Sequence, residues 1–344
     1  MKFPSSSPVG PLACLVVAAT LAGLVGCSEP ELRAQELPVE PTPTIAPYDT
    51  AGRAPAGQTA LTLVPADASV VTVTDFDESR ASLGVPDLTS DDLMSDRSDY
   101  WERARRESVL LAEGMLLDET SRLMLDYGFT QDDVDWEAHF TTPEGPGWIL
   151  AFRPDLDLAP VQRAVRDEVA GLGGGVVDPE RHLVSVGIAE DGEDTWGTIG
   201  GIADLTSDAP AESAYYRAGC VPLGTALGPD ADIEDQEAVV GQHDPTLLDP
   251  LARFAVSFAD GVATARLGLD RTDLFARSDL AADFPTVGPI GFSDAFTLPV
   301  VDPSTGRIGY DVAAPVAAAT ATLTDLLPFA VCNEVTPMDE PTGL

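Results

Sequence analysis

The chain has 344 residues, 57 of them acidic and 19 basic, and a net charge of −38 at neutral pH. Such a chain has no broad basic surface with which to hold nucleic acid or anionic lipid. Lys2 is its only lysine. That excludes a pyridoxal-phosphate Schiff base, a Walker A loop, a kinase of the usual kind and a Ser-x-x-Lys β-lactamase site.

The N-terminus carries the most specific signal. Lys2 precedes an apolar run, Leu12 to Val25, that ends in Leu24-Val25-Gly26-Cys27. The run has the length of a signal-peptide apolar region and is too short to span a bilayer, which needs about 20 residues. Leu24 to Cys27 resembles the lipobox of bacterial lipoproteins. The resemblance covers residues 1–27 and no more. It implies that the signal, residues 1–26, is removed and that the Cys27 thiol is lipidated. It further implies that the mature protein is held on the extracytoplasmic face of the cell membrane by acyl chains. Each buried methylene contributes about 0.8 kcal/mol to such an anchor, so two or more chains hold stably. No later segment is apolar for long enough to span. Ala313–Leu327 comes nearest, but Thr320, Thr322, Thr324 and Asp325 interrupt it.

Residues 27–58 read as a tether. Pro30, Pro38, Pro41, Pro43, Pro47 and Pro55 favour extended conformers there. An α+β domain is expected over 59–333, mainly an antiparallel sheet with packed helices. It has two similar halves as one option and a possible subdivision near 205–245. A loose tail follows at 334–344. Val70–Thr74 is a β-branched strand after a turn. Ser95–Leu111 and Met115–Tyr127 read as helices, the second stopped by Gly128. Trp136–Phe140 alternates as a half-buried strand, and Pro143–Gly147 turns the chain into a second one, Trp148–Phe152. An amphipathic helix over Leu158–Leu172 and a strand over Leu183–Ile188 complete this half.

In the later half Ala211–Ala218 is expected to be helical. Arg253–Ala259 and Val262–Gly268 are strands joined at Asp260-Gly261, a strong hairpin signal because a type I′ turn needs positive φ at both positions. Arg307–Val312 is a strand, and Ala313–Leu327 is a helix leading to Cys332. Cys14 departs with the signal and Cys27 takes lipid. Cys220 and Cys332 are therefore an even pair in an oxidising compartment. They are expected to be joined; two free buried thiols are the competing arrangement.

No catalytic pattern stands out. His139, His182 and His243 are scattered and form no HExxH. Gly291–Ala295 lacks the second glycine of a nucleophile elbow. Asp230–Asp235 starts like a calcium loop, but the sixth position is Asp235 and the twelfth is Gly241. Gly171–Gly175 follows a helix, where a dinucleotide loop must follow a strand. Trp101, Trp136, Trp148, Trp196, Tyr215 and Tyr216 suit a core better than a sugar platform.

The leading expectation is a non-enzymatic, membrane-anchored binding protein. It needs no cofactor or metal, and its partner is an envelope protein, a lipid or a small molecule. An exported hydrolase using carboxylates or a Ser/His pair is the alternative, and a solute-binding component of a transporter is a weaker one. Cys27→Ala is expected to move the protein from the membrane fraction to the soluble fraction. Retention on membranes without acylation would refute the lipobox reading.

Overall fold

Ten strands pair into one antiparallel sheet in the computed structural model, which describes Thr44 and residues 54–338. The lipobox and Cys27 lie outside the described residues.

The sheet is built from two five-stranded units. The first contains β1 (Val70–Asp75), β2 (Val134–Thr142), β3 (Gly145–Phe152), β4 (Val176–Asp178) and β5 (Leu183–Val186). The second contains β6 (Ser213–Ala218), β7 (Arg253–Ala259), β8 (Val262–Arg266), β9 (Phe296–Asp302) and β10 (Arg307–Val312). The spatial order is β4-β5-β3-β2-β1-β6-β7-β8-β10-β9. Read outward from the centre, the units run 1-2-3-5-4 and 6-7-8-10-9. This is one topology used twice: a strand, an excursion through helices, a hairpin, a helix and a second hairpin. The fold is therefore α+β with two similar halves. The first strands of the units meet antiparallel, Val70 opposite Arg217 and Val73 opposite Ala214, so the sheet crosses the junction unbroken.

Helices fill the excursions. In the first unit these are α1 (Ala56–Leu61), α2 (Phe76–Ser82), α3 (Met94–Glu107), α4 (Thr120–Asp126) and α5 (Leu158–Arg166). In the second they are α6 (Leu223–Leu227), α7 (Ile233–Gln242), α8 (Leu274–Ala282), α9 (Phe292–Ala295) and α10 (Pro315–Leu323). Their starts are dictated locally. Asp75 accepts a hydrogen bond from the Glu78 N–H at 3.0 Å, Asp157 caps α5 through the Ala159 N–H, and Asp232 and Asp235 form a capping box on α7. Gly128, at φ 81°, ends α4 and donates to the Leu123 carbonyl. Asp260 and Gly261 both take positive φ in the β7–β8 hairpin, as their sequence requires.

Strand alternation sorts the core into three clusters. On one face, Phe76, Trp101, Phe129, Leu150 and Phe152 pack under the helices of the first unit. On the same face of the second unit, Phe254, Phe258, Tyr310 and Phe329 pack with α8, α9 and α10. The opposite face is covered over the first unit and the centre: Val71, Val73, Ala138 and Ile149 lie beneath α1 and the segment 188–205. Fully buried Trp196 anchors that cover and donates its indole N–H to the Ala68 carbonyl at 3.0 Å.

Several expectations need correction. Ala211–Ala218 is not a helix; Ser213–Ala218 is β6, paired on both sides. Tyr215 and Tyr216 point to opposite faces and both are buried, so no polar alternation marks the strand. Strands β4 and β9 were not anticipated. Both are edges: β4 is three residues long, and β9 carries Pro299, which an edge strand tolerates. The expected helices at 95–111 and 115–127 are shorter, and the one at 158–172 ends at Arg166. The ordered fold also reaches beyond its expected limits. Ala56 is buried within α1, and the Gln236 side chain bonds the backbone of Thr336 and Met338.

Cys220 and Cys332 form a disulfide across a sequence separation of 112. Beside it Val221 and Val331 make a parallel bridge, and the Cys332 N–H donates to the Val221 carbonyl. Fully buried Arg277 holds the carbonyls of Phe329, Val331 and Asp249 while its Nε donates to Asp273 at 2.6 Å. Closing so long a loop stabilises by about 4–5 kcal/mol through loop-closure entropy. Thiol titration of the unfolded, unreduced chain is expected to find neither Cys220 nor Cys332 free. The Cys220→Ala/Cys332→Ala double variant is expected to lose a few kcal/mol in chemical denaturation; unchanged stability would contradict the constraint.

Candidate functional site

The residues singled out by sequence do not converge. His139 Nε2 lies 2.5 Å from Glu137 Oε1 on the same face of β2. His243 Nε2 is 3.3 Å from Asp283 without hydrogen-bond alignment. His182, at φ 53°, stands in the turn before β5. Among the described residues, no serine hydroxyl is a hydrogen-bond partner of these rings, so the Ser/His form of a hydrolase gains no support. Among the described residues, no three His, Cys, Asp or Glu groups are placed to hold a metal ion. Asp232 and Asp235 are spent on the α7 capping box. Trp101, Trp196, Tyr215 and Tyr216 are core.

Glu137 has a structural task. The segment 108–116, between α3 and α4, crosses the sheet centre, where its backbone donors meet buried side chains. The Met115 N–H donates to Glu137 and the Leu116 N–H to Gln131, each at 2.9 Å. The Ala112 N–H reaches Thr74 Oγ1 and the Val109 N–H reaches Glu212. Side chains thus satisfy donors for which this segment has no ladder. A groove of about 250 Å³ runs between this segment and α10, lined by Leu110, Leu111, Val316 and Leu323 among others. The larger hollow beside the turn at 190–194, about 780 Å³, is lined by Asp67, Glu144, Glu190, Glu193 and Asp194, and its charge repels anions.

The distinctive arrangement lies on the face of the second unit opposite its helices. Over β7 this face too is covered: Ala255 belongs to the core beneath α1, and Ser257 lines a small hollow with Gly57, Gln58 and Ser207. On this face β3 presents Ile149 and Ala151, and β5 presents Leu183. The second unit instead presents Arg253 and Ser257 on β7, Thr264 and Arg266 on β8, and Arg307 on β10. Arg266 and Arg307 are direct cross-strand partners. Arg266 also faces Ala255, the neighbour on that side of Arg253 along β7. The guanidinium of Arg266 donates to Ser257 Oγ at 2.7 Å, and that of Arg253 stands 6.0 Å from the Trp196 ring. The Nε atoms of all three are buried without a partner.

Four arginines are buried among the described residues: Arg80, Arg97, Arg266 and Arg277. Arg80 reaches Asp135, Arg97 reaches Asp132 and Arg277 reaches Asp273. Arg266, only 5% exposed, has no carboxylate within ion-pair distance. Burial, reinforced by the neighbouring Arg307, pulls its guanidinium down to about 10. Sequence reading missed this site. Each arginine lies in or at the start of an expected strand, but only the pairing of β7, β8 and β10 brings them together.

Comparison with known proteins adds little. No family model matches the chain, and no curated protein matches it. Among solved structures it is similar to crystal form I of TP0453 (TM-score 0.29, 8% identity) and crystal form III of TP0453 (TM-score 0.32, 9% identity). Each comparison covers 76% of this chain and 96% of that chain. At these values the likeness carries no argument about the site or its ligand.

A separate set of carboxylates gathers at the far end of β1 and β2. Burial pushes the Asp75 carboxyl up to about 7, against the Glu78 N–H that lowers it. Burial likewise raises Asp135 to about 6, opposed by Arg80 at 3.4 Å. An unfolded aspartate titrates near 4 (about 3.9). Between about pH 4 and pH 7 the folded chain therefore holds a proton at Asp75 that the unfolded chain has released. This contribution falls as pH rises through that window. Asp75→Asn keeps the helix cap and removes the titration. The Tm difference, variant minus wild type, is expected to grow from pH 4 to pH 8; a flat or falling difference would contradict the assignment.

Proposed function

We propose that this chain is a lipid-anchored envelope protein that binds a ligand without transforming it. Acyl chains on Cys27 supply the membrane affinity, because the acidic surface gives none. The proline-rich stretch after Cys27 acts as a spacer, and the α+β unit presents the binding face. No helix of the described residues is long and apolar enough to cross a membrane, which agrees with a lipid anchor as the attachment.

The observation that carries this reading is the contrast between the two units. Where the first unit uses one sheet face for apolar packing, the second plants Arg253, Arg266 and Arg307 on the same face. A half built only for stability would continue the apolar pattern, because buried aliphatics stabilise and an uncompensated buried charge destabilises. Residues that cost stability on a rigid sheet fit a site kept for a ligand.

Hydrogen–deuterium exchange tests the reading. The mature protein is compared in buffer and in a cleared extract of the producing cell's envelope. Added protection is expected in 253–268 and 307–312. Protection only elsewhere, or none, would overturn the placement of the binding face.

A further inference from the structure

We infer that the buried arginine cluster on the face of β7, β8 and β10 opposite their helices is an oxyanion site of the phosphate class, held by Arg266 and Arg307 with Arg253 beside them. This rests on the reading that the domain binds a ligand on that face, and it names the ligand's chemistry.

Three independent observations converge. The first is the missing partner. The chain has 57 acidic residues, and the other three buried arginines of the described residues each hold a carboxylate. A shortage of acids does not explain why Arg266 has none. The acid nearest in register, Asp302, stands opposite Arg307 on β9. Both its oxygens are engaged in its own turn, one by the Ser304 backbone and hydroxyl and the other by the Thr305 hydroxyl.

The second is the pairing of like charges. Arg266 and Arg307 are directly opposite on adjacent strands, an arrangement that destabilises a sheet when nothing lies between the charges. An anion between them turns that repulsion into two charge-assisted contacts. Two guanidinium forks suit a tetrahedral dianion, whose several oxygens can take both forks at once. A single carboxylate fills one fork and neutralises half the charge.

The third is the surrounding chemistry. Ser257 and Thr264 are cross-strand partners on the same face. Ser257 Oγ already accepts from Arg266, which fixes the guanidinium in place and leaves the hydroxyl hydrogen to donate outward. Arg266 itself is more than nine-tenths buried with an unpartnered Nε. The carboxylate that acts on Arg266, Asp208, stands beyond ion-pair distance and accepts from the Gln58 amide; Asp311, the acid of β10, pairs with Val262 at the far end of β8.

The phosphate can belong to a free ion or small phosphomonoester, or to a lipid headgroup. The experiment separates these sources. The full mature chain is titrated calorimetrically with inorganic phosphate at constant ionic strength. It is also tested for co-flotation, without its acyl chains, on phosphatidylcholine vesicles with and without phosphatidic acid. Saturable one-to-one binding of phosphate, or flotation that requires phosphatidic acid, supports the site and identifies the source. Arg307→Gln is expected to weaken the response about tenfold or more, the scale of one charge-assisted contact. Arg266→Met is expected to abolish it, and Arg163→Gln on α5 to leave it unchanged.

Arg266→Met also separates a binding arginine from a structural one. If Arg266 awaits an anion, replacing it by an apolar side chain of similar length leaves the ligand-free Tm unchanged or raises it. A drop in that Tm would mean a structural role and would overturn the proposal, as would wild-type phosphate binding by Arg266→Met. Absence of any response to phosphate or phosphatidic acid, with exchange protection at 253–268 by the envelope extract, would reject the phosphate chemistry alone. Loss of both responses would reject the binding reading as well.

Discussion

The antiparallel pairing of β1 with β6 is the constraint on which this structure depends. Each is the first strand of a five-stranded unit, and each has its second strand on the other side. Without that ladder the two units are separate small sheets, each with a long exposed edge. With it, the edges of the joined sheet are the three-residue β4 and the proline-bearing β9. The pairing also sets the faces. Because strand β1 meets its own counterpart antiparallel, both units turn the same side toward their helices, and the other side is left to be covered separately.

How that other side is covered distinguishes the halves. After β5 the chain crosses over and lays 188–205 across the sheet, with Trp196 as its anchor. After β10 it stays on the helical side, where α10 and Phe329 finish the second core. The composition of the strands differs with it: Ile149, Ala151 and Leu183 face that cover in the first unit, and Thr264, Arg266 and Arg307 take the same face of the second.

Much of this was legible in the sequence, for reasons that can be named. The β2–β3 and β7–β8 hairpins declared themselves through alternation and through Asp260-Gly261. The cysteine count pointed to the bridge that the structure shows. Strand β6 was misread because Tyr215 and Tyr216 are buried on opposite faces, which removes the polar-apolar period that marks a strand. Strand β9 was missed because Pro299 argues against a ladder unless the strand is known to lie at an edge. The repeated topology is invisible in residue comparison, since the faces of the two units have diverged. The arginine site was out of reach for a deeper reason. Arg253, Arg266 and Arg307 come from three segments, and only register and facing place them together.

The bridge from Cys220 to Cys332 gives the second unit a property the first lacks. It joins the residue just after β6 to the end of the last packed turn, so everything between is a covalent ring suspended from one strand. A cut in any loop of that ring opens it without freeing a fragment, so both pieces stay attached to β6. The arginine-bearing face sits on this ring, so the half that carries it is the part that a single proteolytic nick within the ring cannot shed.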